Sequence, residues 1–170
     1  MGRRALLALL VVATLVAGIA SLATAGHGGF HATLDGYEEV PAISTTGEGT
    51  FRAEIVSTAK GDVIRYELTY SGLEADATAA HIHFGQPAVA GGVIAWLCGG
   101  GGKPACPPRA GTVRGTITPG DIIGPENQGI APGEFGEAVR AMRAGVTYAN
   151  VHSSMFPTGE IRGQIGRDFT

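Results

Sequence analysis

Apolar and polar residues alternate along much of this chain after residue 29. The clearest cases are segments 50–55 and 63–70, where apolar side chains such as Phe51 and Ile64 recur at every second position. This period of two is typical of half-buried antiparallel strands. Ala59-Lys60-Gly61-Asp62 has the composition of a hairpin turn between them. Further strands are predicted at 79–84, 93–97, 112–118, 146–152 and 160–165.

Short strands separated by Gly or Pro are typical of an antiparallel β-sandwich or barrel, so the predicted fold class is mainly β. One segment has a different period. Residues 134–144 carry apolar side chains at helical spacing, with Glu early and Arg late, and Gly145 follows as a C-terminal stop. This pattern predicts one short amphipathic helix that packs on the sheet, and a shorter helical turn is expected near 119–123.

The N-terminal segment has the three parts of a secretory signal. Arg3 and Arg4 precede an apolar run over 5–20, and Ala23-Thr24-Ala25 provides the small residues of a cleavage site. We therefore predict a signal peptide over 1–25 and a mature domain over 26–170. A retained membrane anchor is the alternative, and it leaves the same domain outside the cytoplasm. The predicted localisation is therefore secreted or otherwise extracytoplasmic, in the periplasm or at the cell surface.

Charge and composition narrow the class of partner. Residues 26–170 contain ten Lys and Arg against fifteen Asp and Glu, a net charge of −5. This negative net charge argues against nucleic acid as a binding partner, and against a membrane surface as a partner after signal cleavage. The 28 glycines and 9 prolines favour turns and short strands. The partners that remain are an extracellular protein or a metal ion, and the sequence leaves the oligomeric state open.

Cys98 and Cys106 are the two cysteines of the chain, and a glycine-rich segment lies between them. In an oxidising compartment, a pair this close is expected to form a disulfide. A cysteine metal or redox site is the alternative, but the spacing is not that of a CxxC motif.

Histidines provide the strongest candidate chemistry. His81 and His83 flank Ile82, so on a strand both imidazoles share one face while Ile82 points into the core. His152 is the third ring, and it converges with the pair if the two strands are neighbours. Imidazole is a common ligand of copper and zinc. Met155 and His31 are additional candidate ligands.

A structural interpretation of the histidines remains open, in which they only form hydrogen bonds that tie strands together. Catalysis is not expected. Ser153 follows His152, but adjacent residues on a strand point to opposite faces, and the chain has no GxSxG elbow. Glu38 and Glu39 are expected in a solvated turn.

Two further features are interpreted structurally. Trp96 lies in an apolar segment and is expected in the core. In the last predicted strand Glu160, Arg162 and Gln164 share one face, for which a solvated surface is a sufficient explanation.

Four motifs, in this order, resemble the CHRD domain, a family named after animal chordin and widespread among secreted bacterial proteins. They are Phe30-His31-Ala32-Thr33-Leu34 with Glu38-Glu39-Val40-Pro41, then Ala80-His81-Ile82-His83-Phe84-Gly85, then Tyr148-Ala149-Asn150-Val151-His152, then the segment 157–164. The resemblance spans about 30–165. It implies a β-rich sandwich or barrel and, for bacterial members, no assigned activity. The growth-factor role of chordin depends on cysteine-rich modules that this chain lacks.

The histidine motifs are also similar, at a distance, to those of the copper/zinc superoxide dismutase barrel. The chain has too few histidines for a two-metal site, so dismutase activity is not expected. The sequence therefore predicts a secreted, non-catalytic CHRD domain that binds copper or zinc through His81, His83 and His152. An extracellular structural or protein-interaction module without metal is the alternative, and a mononuclear metal oxidoreductase is a more remote one.

Overall fold

A computed structural model describes residues 29–167. The signal peptide predicted for 1–25 lies outside these residues. The described part contains nine strands, one α-helix and two short 3-10 turns. In chain order these are β1 (Phe30–Asp35), β2 (Glu48–Thr58), β3 (Gly61–Ser71), β4 (Ala77–Phe84), β5 (Gly92–Cys98), β6 (Gly111–Ile117), the turns Pro119–Asp121 and Glu126–Gln128, α1 (Phe135–Arg143), β7 (Thr147–Ser153), β8 (Ile161–Gln164) and β9 (Gly166–Arg167).

The strands form one antiparallel sheet that curls into a nearly closed barrel, which confirms the predicted fold class. The strand order is β5-β4-β7-β8-β1-β2-β3-β6, and β9 pairs with β1. All the paired strands are antiparallel. The order places β4 beside β7, although more than sixty residues separate them along the chain.

At the opening between the edge strands β5 and β6, a hydrogen bond links β3 to β5, and the disulfide ties the end of β5 to the loop that leads to β6. The Tyr66 hydroxyl on β3 donates a buried 2.6 Å hydrogen bond to the Leu97 carbonyl on β5. Cys98, at the end of β5, is bonded to Cys106 across a Cα–Cα distance of 5.1 Å, which confirms the predicted disulfide. Together these links hold a sheet edge that has no strand partner.

The barrel interior is apolar because every second strand residue points inward. β2 and β3 show this alternation of buried and exposed positions along most of their length. Ile82 on β4 and Val151 on β7 are both within the core, as the period predicts. The other large buried side chains include Phe30, Leu34, Phe51, Ile64, Leu68, Tyr70, Ile94, Leu97 and Ile117.

The predicted helix is confirmed within one residue of its expected ends. α1 buries Ala138, Val139, Ala141 and Met142, and it contacts β9. Gly145 follows with φ +70°, a conformation that favours glycine, and the chain then enters β7. No helix within residues 29–167 has the length and apolar character needed to cross a membrane.

The outer surface of the barrel has two polar regions. We call the outer side of β2, β3 and β6 the open face; it exposes a lattice of charged and threonine side chains, in which Arg52, Glu67 and Arg114 lie in one cross-strand row. We call the outer side of β4, β7 and β8 the covered face, because the loops 36–47, 85–91 and 154–160 lie over it. The histidines belong to the covered face.

Candidate metal centre

β4 and β7 bring His81, His83 and His152 together on the covered face. In the register of the two strands, His152 lies opposite Ala79, so its side chain has the same orientation as those of His81 and His83. One ligand nitrogen from each ring lies within 4.8 Å of the others. As whole residues, the three histidines are 7%, 8% and 9% exposed, respectively. The sequence analysis predicted that the three rings would converge if their two strands were neighbours, and the structure shows that they do.

Hydrogen bonds determine which nitrogen of each neutral ring carries the proton. His152 Nδ1 lies 3.1 Å from the Pro157 carbonyl, and His83 Nδ1 lies 3.0 Å from the Gly91 carbonyl. Because a carbonyl oxygen can only accept, both Nδ1 atoms donate, and both Nε2 atoms carry lone pairs. His81 Nδ1 lies 2.9 Å from His152 Nε2, so His81 must also donate through Nδ1.

Two lone pairs are consequently left without a partner. His81 Nε2 and His83 Nε2 are both buried and make no hydrogen bond. Buried polar atoms in native proteins almost always have a partner, and an unpaired one costs about 1–3 kcal/mol. Unpartnered imidazole lone pairs on two adjacent rings have the chemistry of metal donors.

The cluster also resists protonation. Burial, reinforced by repulsion from His152 and His83, lowers the pKa of His81 to about 3. Burial, with repulsion from His152 and Arg162, lowers the pKa of His83 to about 4, although the Gly91 hydrogen bond acts in the opposite direction. Burial likewise lowers the pKa of His152. All three rings are therefore neutral near pH 7, the state that metal ligation requires.

Aromatic and cationic groups fix the orientation of the rings. Tyr148 stacks on His83 with an interplanar angle of 3° and a centroid distance of 4.8 Å. The Arg162 guanidinium lies 3.5 Å from the centroid of the Tyr148 ring. On the other side of the cluster, Trp96 meets His81 edge-on at 4.2 Å between centroids. The Tyr148 hydroxyl accepts from Gly91 N–H, so one loop residue holds both Tyr148 and His83.

Glu39 reaches the same face from the loop 36–47. Asn150 Nδ2 donates to Glu39 Oε1 at 2.5 Å and to the Ile161 carbonyl at 3.1 Å. Burial raises the pKa of Glu39 to about 7, while the Asn150 hydrogen bond and the Arg162 charge act in the opposite direction. Gly159 lies directly beneath this carboxyl group, since a Cβ there would be 2.5 Å from Glu39 Oε1.

Three sequence interpretations are wrong at this face. Trp96 is half-buried on the outer side of β5, because an apolar segment without alternation does not reveal which residues point inward. Glu39 is half-buried and hydrogen-bonded, so it is not part of a fully solvated turn. The polar side of the last strand is not solvated either: Arg162 is 2% exposed and Glu160 is fully buried. Loops cover this strand, and alternation within a strand carries no information about loops.

Glu39, Tyr148 and Arg162 were therefore missed as parts of the site. Each of them lies in a motif that carries the family resemblance, and that was the available signal. The two additional candidate ligands are placed elsewhere. Met155 is 58% exposed in the loop after β7, and His31 on β1 lies opposite Arg52 and does not belong to the three-histidine group.

The three histidines could hold a metal ion, because one ligand nitrogen from each lies within 4.8 Å of the others. Three neutral imidazoles suit copper and zinc, and no carboxylate or thiolate among residues 29–167 joins the group. The carbonyl acceptors at Pro157 and Gly91 hold the rings of His152 and His83, which is the usual outer-shell role around metal-binding histidines.

Comparison with known proteins identifies one family. The model of the CHRD domain matches residues 30–165. No curated protein and no solved structure matches the chain significantly. The match covers every strand from β1 to β8, the helix α1 and all three histidines of the cluster. This chain therefore belongs to the CHRD domain family.

Proposed function

We propose that this protein is a non-catalytic, extracytoplasmic metal-binding domain, in which His81, His83 and His152 form a site for copper or zinc. The observation that carries the proposal is the pair of buried, unpartnered Nε2 atoms on His81 and His83. A purely structural histidine network would be expected to use these lone pairs in hydrogen bonds.

The proposed location rests on two features. The segment 1–25 has the pattern of a secretory signal, and Cys98–Cys106 is a disulfide of the kind that persists in oxidising compartments. Cell fractionation and N-terminal sequencing test this part of the proposal. An N-terminus at Gly26 in the exported fraction is expected, whereas an intact N-terminus on cytoplasmic protein would contradict it.

The surroundings of the rings support the non-catalytic assignment. Trp96 and Tyr148 lie against the cluster, and within residues 29–167 no serine, threonine or cysteine side chain is hydrogen-bonded to one of its rings. If the metal-loaded protein shows redox turnover that the His83→Ala, His152→Ala double variant lacks, a mononuclear oxidoreductase is the better assignment.

Calorimetric titration with copper and with zinc tests metal binding itself. The wild-type protein is expected to bind one ion at pH 7 and to bind more weakly only below about pH 5, because the lowered pKa values of His81 and His83, about 3 and about 4, keep both rings neutral above it. The double variant His83→Ala, His152→Ala is expected to lose binding, and His31→Gln is the control that keeps it. An unchanged metal affinity in the double variant would show that these histidines do not form the metal site.

A second candidate function is supported by the loops over the covered face. Four of the five exposed large hydrophobic side chains within residues 29–167 lie on them: Tyr37, Val40, Val89 and Met155. Exposed apolar residues gathered at one surface are typical of interaction sites. A folded wild-type protein that binds neither copper nor zinc would favour this interaction role.

A further inference from the structure

The three histidines of the cluster are not equivalent, and the difference concerns their lone pairs. His152 Nε2 already accepts the hydrogen bond from His81 Nδ1, while the Nε2 atoms of His81 and His83 have no partner. A metal that bound His152 Nε2 would have to break this hydrogen bond and leave His81 Nδ1–H without an acceptor. A metal that bound only the two free atoms would break nothing.

The geometry points to a two-coordinate monovalent copper site formed by the Nε2 atoms of His81 and His83, with His152 as a positioning residue. This inference rests on the proposed metal-binding function and specifies its metal and its ligands. His152 accepts from His81 Nδ1–H and donates through its own Nδ1 to the Pro157 carbonyl. This chain of two hydrogen bonds holds the His81 ring and increases the basicity of its Nε2, as outer-shell partners do at metal sites.

The charge of the surroundings favours a monovalent ion. The donors are neutral, no carboxylate within residues 29–167 joins the group, and the positive charge of Arg162 acts on His83. A buried charge without a counter-charge is costly, and the cost rises steeply with the charge. Cu(I) brings a single positive charge, whereas Zn²⁺ or Cu²⁺ brings two.

Ligand number favours the same ion. Zn²⁺ in proteins is nearly always four-coordinate, with three protein ligands at the least in catalytic sites. Two accessible imidazole lone pairs fall short of that number. Cu(I) has a filled d shell and accepts low coordination numbers, and it tolerates an enclosed site without bound water. Ligand number and charge therefore select against zinc independently.

X-ray absorption at the copper edge tests the ligand number in the wild-type protein. Cu(I)-loaded protein, prepared anaerobically, is expected to show two nitrogen ligands. Histidine ¹⁵N spectra are expected to show large shifts of the Nε2 signals of His81 and His83, with the His152 Nε2 signal nearly unchanged. Three nitrogen ligands, or a large shift at His152 Nε2, would overturn the inference while leaving metal binding intact.

Competition with a chromophoric Cu(I) chelator separates ligands from the positioning residue. His81→Ala and His83→Ala are expected to lower Cu(I) affinity by more than about 100-fold, whereas His152→Gln should lower it by about 10-fold, because the glutamine oxygen can still accept from His81 Nδ1–H. His31→Gln is the matched control. Equal losses for His152→Gln and His83→Ala, or tighter binding of Zn²⁺ than of Cu(I), would contradict the inference. Absence of any copper or zinc binding by the wild-type protein would instead overturn the proposed function.

Discussion

The covered face and the open face of the barrel are built from the same strand pattern, yet their polar residues have opposite environments. On the open face, Arg114 pairs with Glu67 while its side chain remains 71% exposed. On the covered face, Arg162 is 2% exposed and lies against Tyr148. Loops make this difference, because they exclude water from one face and leave the other solvated. A buried polar group needs specific partners, and a solvated one does not.

Among the tests of this difference between the two faces, acidification is expected to change the free energy of unfolding most. The pKa values of His81 and His83 are lowered to about 3 and about 4, below the unfolded value of 6.5, so below pH 6.5 the unfolded chain binds more protons than the folded one. The free energy of unfolding should therefore fall as pH falls from 7 to 5, by about 2 kcal/mol for each of these histidines. Urea unfolding of metal-free protein at the two pH values measures it.

The control for acidification is a variant that lacks both rings, His81→Leu with His83→Leu. Its free energy of unfolding should depend much less on pH over this interval. An equally steep dependence in the variant would place the acid sensitivity outside the covered face.

Removal of one arginine from each face has the next largest expected effect. Arg162→Ala removes the buried cation that lies over the Tyr148 ring and donates to the Gln86 carbonyl, and it should lower the free energy of unfolding by about 3 kcal/mol. Arg114→Ala removes an exposed ion pair and should cost less than about 1 kcal/mol. Denaturant unfolding at pH 7 compares the two, and similar costs would mean that the loops do not exclude water as described.

Alanine substitution at two glycines with positive φ distinguishes the cost of disturbing loop 154–160 from the cost of backbone strain. Gly159 (φ +136°) has no room for a Cβ beside Glu39 and Asn150, whereas Gly61 (φ +109°), in the β2–β3 hairpin, has no atom within 4 Å of that position. Each Gly→Ala change carries a backbone cost of roughly 1–3 kcal/mol, because residues with a side chain rarely adopt either conformation. Gly159→Ala should cost about 1–2 kcal/mol beyond this, by thermal or urea unfolding. Equal losses of unfolding free energy for the two variants would show that the Glu39 side chain can move aside without an energetic cost.

The smallest expected effect concerns Glu39. Its folded pKa of about 7 exceeds the usual 4.5, so the carboxyl group destabilises the fold increasingly as pH rises from 4.5 through 7. Glu39→Gln should raise the free energy of unfolding at pH 8 by about 1 kcal/mol, after allowance for solvent screening, and should change little at pH 5. Glu38→Gln, at the exposed neighbouring position, is the control. Destabilisation by Glu39→Gln at pH 8 would contradict the assigned environment.

The sequence predicted the parts of the site that depend on local periodicity. Alternation gave the strands and correctly placed Ile82 and Val151 in the core, with the histidines on the opposite side. Helical spacing gave α1, and the cysteine spacing gave the disulfide. Each of these inferences concerns neighbours along the chain, where covalent geometry limits the possibilities.

The pairing of β4 with β7 and the burial of one polar face were beyond such reasoning. Whether His152 meets His81 depends on strand order, which connects segments far apart in sequence. Whether Glu39 or Arg162 is buried depends on where the long loops fold back, and composition does not determine that. Trp96 was misassigned for a related reason, since an uninterrupted apolar segment does not indicate its inward side.

The most direct test of the central claim is the histidine ¹⁵N spectrum of the metal-free protein at pH 7, followed by addition of Cu(I). The account predicts three neutral rings, each protonated at Nδ1, and large shifts at the Nε2 atoms of His81 and His83 when copper is added. Positively charged rings, Nε2-protonated tautomers or spectra unchanged by copper would show that this face holds an ordinary hydrogen-bond network and no metal centre.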